Sequence, residues 1–256
     1  MSLDELQRQW DELAHKDPMW WTLSTPGKED CRWDAEEYFR TGREEAGELK
    51  RWLGSMGVVV SPGEALDFGC GMGRVTQGLA DWFTEVIGVD ISPKMIELAQ
   101  ANNRMGSRCR FILNASDNLG RFGDGTFDLI YSNRVLQHIP SKIVPVYLRE
   151  FIRVLSEHGA LVVQYPGPPE NRLFGWIPTR LLNLLAILYR KLTARLGATR
   201  KPGWDFHWMR ESEMRALLTR SGGYLVKTQA LPPVLARPSS LSNSLYLIRK
   251  VTLKSH

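Results

Sequence analysis

Residues 64–74 read Glu-Ala-Leu-Asp-Phe-Gly-Cys-Gly-Met-Gly-Arg, and the prediction of the fold depends on this stretch. The run up to Phe68 predicts a β-strand and a helical pattern begins near Arg74, so three alternating glycines lie between a strand and a helix. Glycine tolerates left-handed backbone dihedrals and lets a ligand contact the main chain. We therefore predict a ligand-binding turn at the carboxyl end of the first strand of a sheet.

Two carboxylates narrow the choice of ligand for this turn. In a dinucleotide site a small residue takes the place of Arg74, and the helix amino terminus faces a pyrophosphate. Asp67, two residues before the first glycine, would repel a pyrophosphate and suits a ligand with an ammonium group. Asp90 closes the next predicted strand 23 residues later, near the spacing of about 20 expected for an acid that accepts from ribose hydroxyls. Capping of the following helix is the alternative role for Asp90.

Short β-rich runs alternate with helical runs along most of the chain, which predicts βαβ units and a parallel sheet. The predicted strands are 64–68, 85–91, 109–113, 127–132, 160–165, 224–231 and 244–251. The predicted helices between them are 73–83, 93–104, 143–156 and 211–221. Residues 232–243 contain three prolines and are predicted to form a loop.

The length of 256 residues favours one α/β domain with appendages. We predict an N-terminal helical cap over residues 1–57 and a domain over 58–256 with a helical insert at about 166–210. The predicted helices of the cap are 3–13 and 34–53. The apolar stretch 173–196 of the insert is too interrupted by charges to span a bilayer. Three roles stay open for it: a lid, an oligomer contact, and an interfacial helix for a lipid-linked or anionic substrate.

The distribution of charge bears on possible partners. The net charge of +5 divides unevenly, because residues 1–100 carry 10 basic and 19 acidic residues, whereas residues 101–256 carry 23 and 9. The basic part is compatible with an anionic partner, such as a nucleic acid, a phosphorylated substrate or an acidic membrane surface. Solubility alone is the other explanation. The oligomeric state stays open.

Cysteine usage and the N-terminus bear on location. The three cysteines show no C-x-x-C spacing, which argues against a disulfide framework and a zinc site, so we expect no metal. The N-terminus is polar and acidic, unlike a signal peptide. We expect a cytoplasmic location, with peripheral attachment at the inner membrane face left open by the insert.

Four motifs together give the chain a family resemblance. The patterns are D-x-G-C-G-x-G at 67–73, V-D-x-S at 89–92, F-D-x-x-x-S at 127–132 and H-I-P at 138–140. With them, residues 60–165, and more loosely 205–251, resemble the class I S-adenosylmethionine-dependent methyltransferases that act on small molecules. The resemblance implies a Rossmann-like three-layer α/β sandwich. It also implies a seven-stranded, mostly parallel sheet with an antiparallel last strand, and ligands at the carboxyl ends of the parallel strands.

The resemblance also implies cofactor-binding residues. Asp67 and the turn residues would hold the methionyl part of S-adenosylmethionine; these turn residues are Gly69, Cys70, Gly71 and Gly73. Asp90 would take the ribose, and Ile91 would flank the adenine. Many members have an aspartate where this chain has Ala115, so Asp117 or Asn118 takes the role near the adenine amino group. Ser132 resembles a cofactor-facing residue near the transferred methyl, and Tyr38 and Gly42 are further candidates.

Methyl transfer depends largely on positioning and on exclusion of water, and a hydroxyl acceptor gains from a general base such as histidine. His138 follows the fourth predicted strand, at the rim where acceptors bind in the family, and is the first candidate. His207 is the second. A structural packing role is the alternative for each of them.

We therefore expect methyl transfer to a small-molecule acceptor, with a hydroxyl of a sugar, a polyketide or a lipid-linked precursor favoured. An RNA methyltransferase is an alternative suggested by the basic C-terminal part. Against it, residues 132–135 read Ser-Asn-Arg-Val in place of an N/D-P-P-Y/F motif, and no RNA-binding module is recognisable. A non-catalytic protein that binds S-adenosylmethionine and acts through partners is the remaining alternative.

Overall fold

The computed structural model describes residues 1–169, 207–231 and 241–251. The helices are α1 (Leu3–Lys16), α2 (Pro18–Thr22), α3 (Ala35–Ser55), α4 (Arg74–Leu79), α5 (Pro93–Ala101), α6 (Val144–Val154) and α7 (Glu211–Arg220). The strands are β1 (Glu64–Phe68), β2 (Glu85–Asp90), β3 (Cys109–Leu113), β4 (Phe127–Ser132), β5 (Leu155–Pro169), β6 (Gly223–Leu231) and β7 (Leu241–Lys250). The predicted insert helix at 173–196 lies outside the described residues.

The seven strands form one sheet in the order β3-β2-β1-β4-β5-β7-β6. Strands β1 to β5 pair in parallel, and β7 runs antiparallel to both β5 and β6. The sequence-based prediction of a mostly parallel seven-stranded sheet with an antiparallel last strand is thus confirmed. Since the chain reverses its strand order at β1 and β4, the carboxyl ends of these two strands flank a crevice.

Both faces of the sheet are covered, as expected for a three-layer sandwich. Side chains alternate along β1: Leu66 and Phe68 belong to the apolar cluster that includes α6 and α7, whereas Ala65 belongs to the cluster on the side of α3 and α4. All three side chains are buried. Burial on both faces explains why the parallel strands read as nearly continuous apolar runs.

Two elements differ in extent from the sequence-based prediction. Strand β5 begins at Leu155, directly after α6, because Leu155 is fully buried and pairs with Phe127 before a bulge. It continues to Pro169, where its partner β7 extends the pairing to Leu241. The N-terminal part of β7 therefore lies within the predicted loop 232–243, since an antiparallel partner lengthens both strands.

The N-terminal helices dock on the carboxyl edge of the sheet. The Asp11 carboxylate of α1 accepts from the Ser92 hydroxyl and from the Lys94 N–H, both at 2.8 Å, and Gln7 donates to the Ile91 carbonyl at 3.0 Å. These bonds attach α1 to the turn between β2 and α5. Helix α1 is therefore held directly beside the predicted ligand site.

Helix α3 approaches α4 more closely than side chains would allow. A Cβ atom at Gly42 would lie 2.0 Å from the Arg74 carbonyl oxygen, and one at Gly78 would lie 2.5 Å from the Gly42 carbonyl oxygen. Two glycines thus permit backbone contact between the cap and the helix that follows the glycine turn. Within the described residues, no helix is both long and apolar enough to cross a membrane.

This contact gives a test of the cap interface. We expect Gly42→Ala to lower the free energy of unfolding by about 3 kcal/mol, because the new methyl group would overlap backbone that cannot move away cheaply. The matched control is Gly54→Ala in the same helix, where a Cβ would meet nothing within 4 Å. That change should raise stability by about 0.5 to 1 kcal/mol in the same denaturant titration. Equal effects of the two substitutions would contradict the close approach of α3 and α4.

Candidate functional site

A cavity of about 950 Å³ lies at the carboxyl ends of the parallel strands and is bounded by the N-terminal helices. The polar residues that line it from the sheet side are Asp90, Asn114, Asn133, Arg134, His138 and Gln164. Four tryptophans of the cap also line it, namely Trp10, Trp21, Trp33 and Trp52, and Phe68, Tyr131 and Tyr147 add aromatic rings from the sheet side. The cavity is therefore formed jointly by the sheet edge and the cap.

The glycine turn contributes main chain to the cavity wall. Gly69, Gly71 and Gly73 have φ angles of 79°, 53° and 79°, in the left-handed region. A Cβ atom at Gly69 would lie 2.3 Å from a methyl carbon of Val135, and one at Gly71 would lie 2.7 Å from a methyl carbon of Thr22. The alternating glycines are thus required both by the backbone conformation and by the limited space at the turn.

Asp90 links the turn to the cavity. Its Oδ2 accepts from the Gly71 N–H and its Oδ1 accepts from the Ser92 N–H, both at 2.9 Å. Burial raises the pKa of Asp90, and these backbone hydrogen bonds oppose that rise. Each carboxylate oxygen can accept a further bond, so Asp90 can serve the turn and a ligand hydroxyl together.

Asp67 lies beneath the turn, away from the main cavity. It lines a small pocket of about 40 Å³, together with Tyr38 and Cys70, and accepts from the Thr76 hydroxyl at 2.6 Å. Burial raises the pKa of Asp67 to about 7, with the Thr76 hydrogen bond acting in the opposite direction. Burial therefore favours the protonated form of Asp67 more than it is favoured in an exposed aspartate.

A buried ion cluster joins the cap to the sheet. Glu45 of α3 accepts from Arg74 through Oε2, and from the Tyr131 hydroxyl and the Asn133 amide through Oε1, each at 2.7 Å. Burial opposes ionisation of Glu45, but Arg74, Arg134 and the two hydrogen bonds outweigh it and hold its pKa at about 2. Glu45 is therefore ionised at any physiological pH. Arg74 is directed to this carboxylate and also to Thr41.

A family model described as "Methyltransferase domain" matches residues 65–159, which include β1 to β4 and the glycine turn. Residues 65–159 of the chain are therefore similar to a methyltransferase domain. Two curated relatives also align with this part of the chain. One is phosphoethanolamine N-methyltransferase of Triticum aestivum, 30% identical over 128 residues, or 47% of this chain and 25% of the relative. The other is trans-aconitate 2-methyltransferase of Methylobacterium radiotolerans, 34% identical over 147 residues, or 56% and 54%.

A solved structure shows the same fold. The magnesium protoporphyrin IX methyltransferase from Synechocystis PCC 6803, crystallised with bound SAH, superposes with a TM-score of 0.59 at 18% identity. The superposition covers 96% of this chain and 99% of that chain. The two sequence relatives are longer proteins, of which this chain spans about a quarter and about a half.

In the methyltransferase domain, some predicted cofactor residues line the cavity and others do not. Gly69, Gly71, Asp90 and Ile91 line it. Gly73 lies at the start of α4, where a Cβ would meet the Phe111 ring at 2.5 Å. Cys70 is buried, and Ser132 is buried with its hydroxyl donating to the Phe68 carbonyl at 3.1 Å.

The polar residues that follow β3 differ in their exposure to solvent, and the sequence-based prediction chose the exposed ones. Asp117 and Asn118 are exposed, and Asn118 donates to Asp117 and accepts from the Gly120 N–H. Asn114, by contrast, is buried and lines the cavity, with its N–H donating to the Asp90 carbonyl at 2.8 Å. Its position directly after β3 was the available signal, because strand ends meet at the ligand edge of a parallel sheet.

His138 lines the cavity, and it is hydrogen-bonded to a chain of side-chain amides in which the donor and acceptor of each bond can be assigned. The Arg134 N–H can only donate, so Gln164 Oε1 accepts it and Gln164 Nε2 donates to Gln137 Oε1 at 3.3 Å. Gln137 Nε2 consequently faces His138 Nε2 at 3.2 Å as a donor. Neutral His138 in this network therefore carries its proton on Nδ1, and its ring packs edge-on against Trp10.

His207 belongs to the same neighbourhood through its backbone. Its N–H donates to the Gln137 carbonyl at 2.8 Å, which connects the start of the segment before α7 to the turn after β4. Of the two predicted general bases, His138 lines the main cavity, and His207 does not.

The low pKa of Glu45 gives a pH-dependent test of the ion cluster. The folded pKa of about 2 lies below the usual glutamate pKa of 4.5, so ionised Glu45 stabilises the fold above about pH 4.5, and this stabilisation is lost as the pH falls toward 2. We expect Glu45→Gln to lower the free energy of unfolding by about 3 kcal/mol at pH 7, because it leaves Arg74 buried and unpaired.

The control is Glu44→Gln, at a neighbouring carboxylate that is 61% exposed and should change stability by less than about 0.5 kcal/mol. Denaturant titrations between pH 7 and pH 3 should show the gap between wild type and Glu45→Gln narrowing as the pH falls. A gap that stays constant over this range would contradict the ion cluster.

Proposed function

We propose that this protein is an S-adenosylmethionine-dependent methyltransferase, and that its acceptor is a small molecule methylated on a hydroxyl group. One observation carries the proposal: a single cavity is lined both by the glycine turn with Asp90 and by His138. A candidate cofactor-binding edge and a candidate base thus face the same cavity. The cap helices and their tryptophans cover that volume, which favours exclusion of water from the reacting groups.

The residues around the cavity fit S-adenosylmethionine better than a dinucleotide. Asp90 is placed to accept from ribose hydroxyls, and the amide of Asn114 beside it can bind a base edge. The start of α4 is unsuited to a pyrophosphate, because Arg74 is turned toward Glu45 and buried Asp67 lies beneath the turn. The aromatic lining suits a cationic ligand, since aromatic faces attract cations. When bound, S-adenosylmethionine would supply an electrophilic methyl group on a sulfonium centre.

The protein's own residues would orient the acceptor and receive its proton. His138 Nε2 is held as an acceptor by the Gln164–Gln137 chain, so it can take the proton of an acceptor hydroxyl in place of the hydrogen bond from Gln137. Trp10 packs against the edge of the imidazole and restricts its rotation. The amide chain and Trp10 both hold the imidazole before any substrate binds. This lowers the free energy needed to reach a reactive arrangement.

Calorimetric titration tests the cofactor assignment. We expect wild-type protein to bind S-adenosylmethionine and SAH but not NAD. Asp90→Asn should weaken binding of SAH roughly tenfold to a hundredfold, because a charged acceptor for hydroxyl hydrogen bonds is lost. Asp81→Asn, a matched change at an exposed aspartate outside the cavity, should bind as wild type does. Binding of NAD, or equal affinity of both variants for SAH, would refute the assignment.

A methyl-transfer assay tests the role of His138. With radiolabelled S-adenosylmethionine and a panel of sugars, phenols and hydroxy acids, the first accepted compound serves as substrate. We expect His138→Gln to lower kcat about 10²- to 10⁴-fold without changing the affinity for SAH, and to remove the rise of the wild-type rate with pH through the imidazole range. His15→Gln, at an exposed histidine on α1, is the control. Unchanged kcat in His138→Gln would exclude the base.

A further inference from the structure

Arg134 follows β4 in a left-handed backbone conformation, with a φ angle of 65°. Residues with long side chains rarely adopt this region, and they do so where the surrounding structure enforces it. Here the Arg134 N–H donates to Gln164 Oε1 at 3.0 Å, and Gln164 on β5 is only 3% exposed. The neighbouring strand thus holds an arginine in a backbone conformation that glycine would adopt more easily.

Arg134 is half-buried, and one nitrogen of its guanidinium is fully buried without a hydrogen-bond partner in the described part of the chain. Its Nη1 has no hydrogen-bond acceptor among residues 1–169, 207–231 and 241–251. The side chain lines both the main cavity and the small pocket beneath the turn. A buried N–H of a charged group without an acceptor is costly, so an acceptor from a bound molecule would lower the free energy of this arrangement.

Glu45 does not supply that acceptor. Its Oε2 accepts from Arg74 and its Oε1 accepts from Tyr131 and Asn133, and neither oxygen accepts from Arg134 Nη1. The charge of Arg134 is nevertheless close to Glu45, because it contributes to the lowered pKa of that carboxylate. Two guanidinium groups therefore lie near one carboxylate, and Glu45 forms its hydrogen bonds with Arg74 and not with Arg134.

The other carboxylates that line the cavity have different surroundings. Glu37 forms an ion pair with Lys28, Glu44 and Glu48 are exposed to solvent, and Asp90 accepts from two backbone N–H groups. In the part of the chain that the structure describes, none of them accepts from Arg134 Nη1. The Arg134 Nη1 is therefore available to an acceptor on a ligand.

We propose that Arg134 is an anion-binding residue of the cavity and binds a carboxylate or phosphate group of a bound small molecule. A guanidinium fork suits both groups, since it can donate two parallel hydrogen bonds to them. The proposal rests on the proposed function, because it assigns a subsite in the same cavity. Two molecules can supply the anion: the cofactor, through the carboxylate of its amino-acid end, or the methyl acceptor, through an acidic group of its own.

Calorimetry on the full chain distinguishes the two sources. The variant is Arg134→Gln, and the control is Arg149→Gln at an exposed arginine on α6. The probes are SAH, 5′-methylthioadenosine, which lacks the amino-acid end, and the anions phosphate and malonate. The anions are titrated into both free and SAH-saturated protein. A cofactor carboxylate at Arg134 predicts that Arg134→Gln weakens SAH binding about tenfold to a hundredfold and leaves 5′-methylthioadenosine unchanged.

If an acidic group of the methyl acceptor binds Arg134, the opposite pattern of binding is expected. SAH binding is then unchanged, and phosphate or malonate binds to SAH-saturated wild type and control but not to Arg134→Gln. The proposal is overturned if the variant binds every probe as wild type does. If wild type binds neither SAH nor 5′-methylthioadenosine, the proposed cofactor is wrong, whereas anion binding to the free protein still tests Arg134.

The Arg134→Gly variant distinguishes a loss of ligand binding from a loss of stability. Glycine fits the left-handed conformation and keeps the N–H that donates to Gln164, so the Tm should not fall. The loss of binding should match that of Arg134→Gln. A lower Tm together with unchanged binding would instead assign Arg134 a purely structural role and overturn the proposal.

Discussion

The site depends on one buried carboxylate, Glu45, which connects three parts of the fold. It accepts from Arg74 at the start of α4 and from Tyr131 and Asn133 at the end of β4, while it belongs to the cap helix α3. Ionised Glu45 is buried only because these partners compensate the loss of hydration. The ion cluster fixes the cap against the carboxyl edge of the sheet, and the cavity exists between them.

The same cluster explains the chemical character of the site. Because Arg74 is turned toward Glu45, the start of α4 presents main-chain groups of the glycine turn rather than a cationic side chain. Asp90 then ties the turn to β2 through the Gly71 N–H. Beyond β4, a chain of amides from the Arg134 backbone to His138 fixes the tautomer of the imidazole. Cofactor edge, candidate base and cap are therefore positioned by one continuous polar network.

The sequence predicted the sheet and the turn well because local signals determine them. Alternating glycines after an apolar strand and an acid at the end of the next strand are patterns of neighbouring residues. Glu45, Arg134 and Gln164 carry no such signal, since their partners are 27 to 88 residues away in the chain. Asn114 carried a signal, because it directly follows β3, whereas the exposure of Asp117 and Asn118 is decided by loop geometry, which the sequence does not show.

Hydrogen–deuterium exchange with and without SAH tests most directly whether the cavity between cap and sheet edge is the cofactor site. We predict slower exchange on SAH binding in peptides covering the glycine turn at 69–73 and the end of β2 at 88–92. Slower exchange is also predicted in the cap helices α1 and α3, while α7 on the far face of the sheet stays unchanged. Binding without protection of the turn, or protection confined to regions away from the cap, would contradict the account.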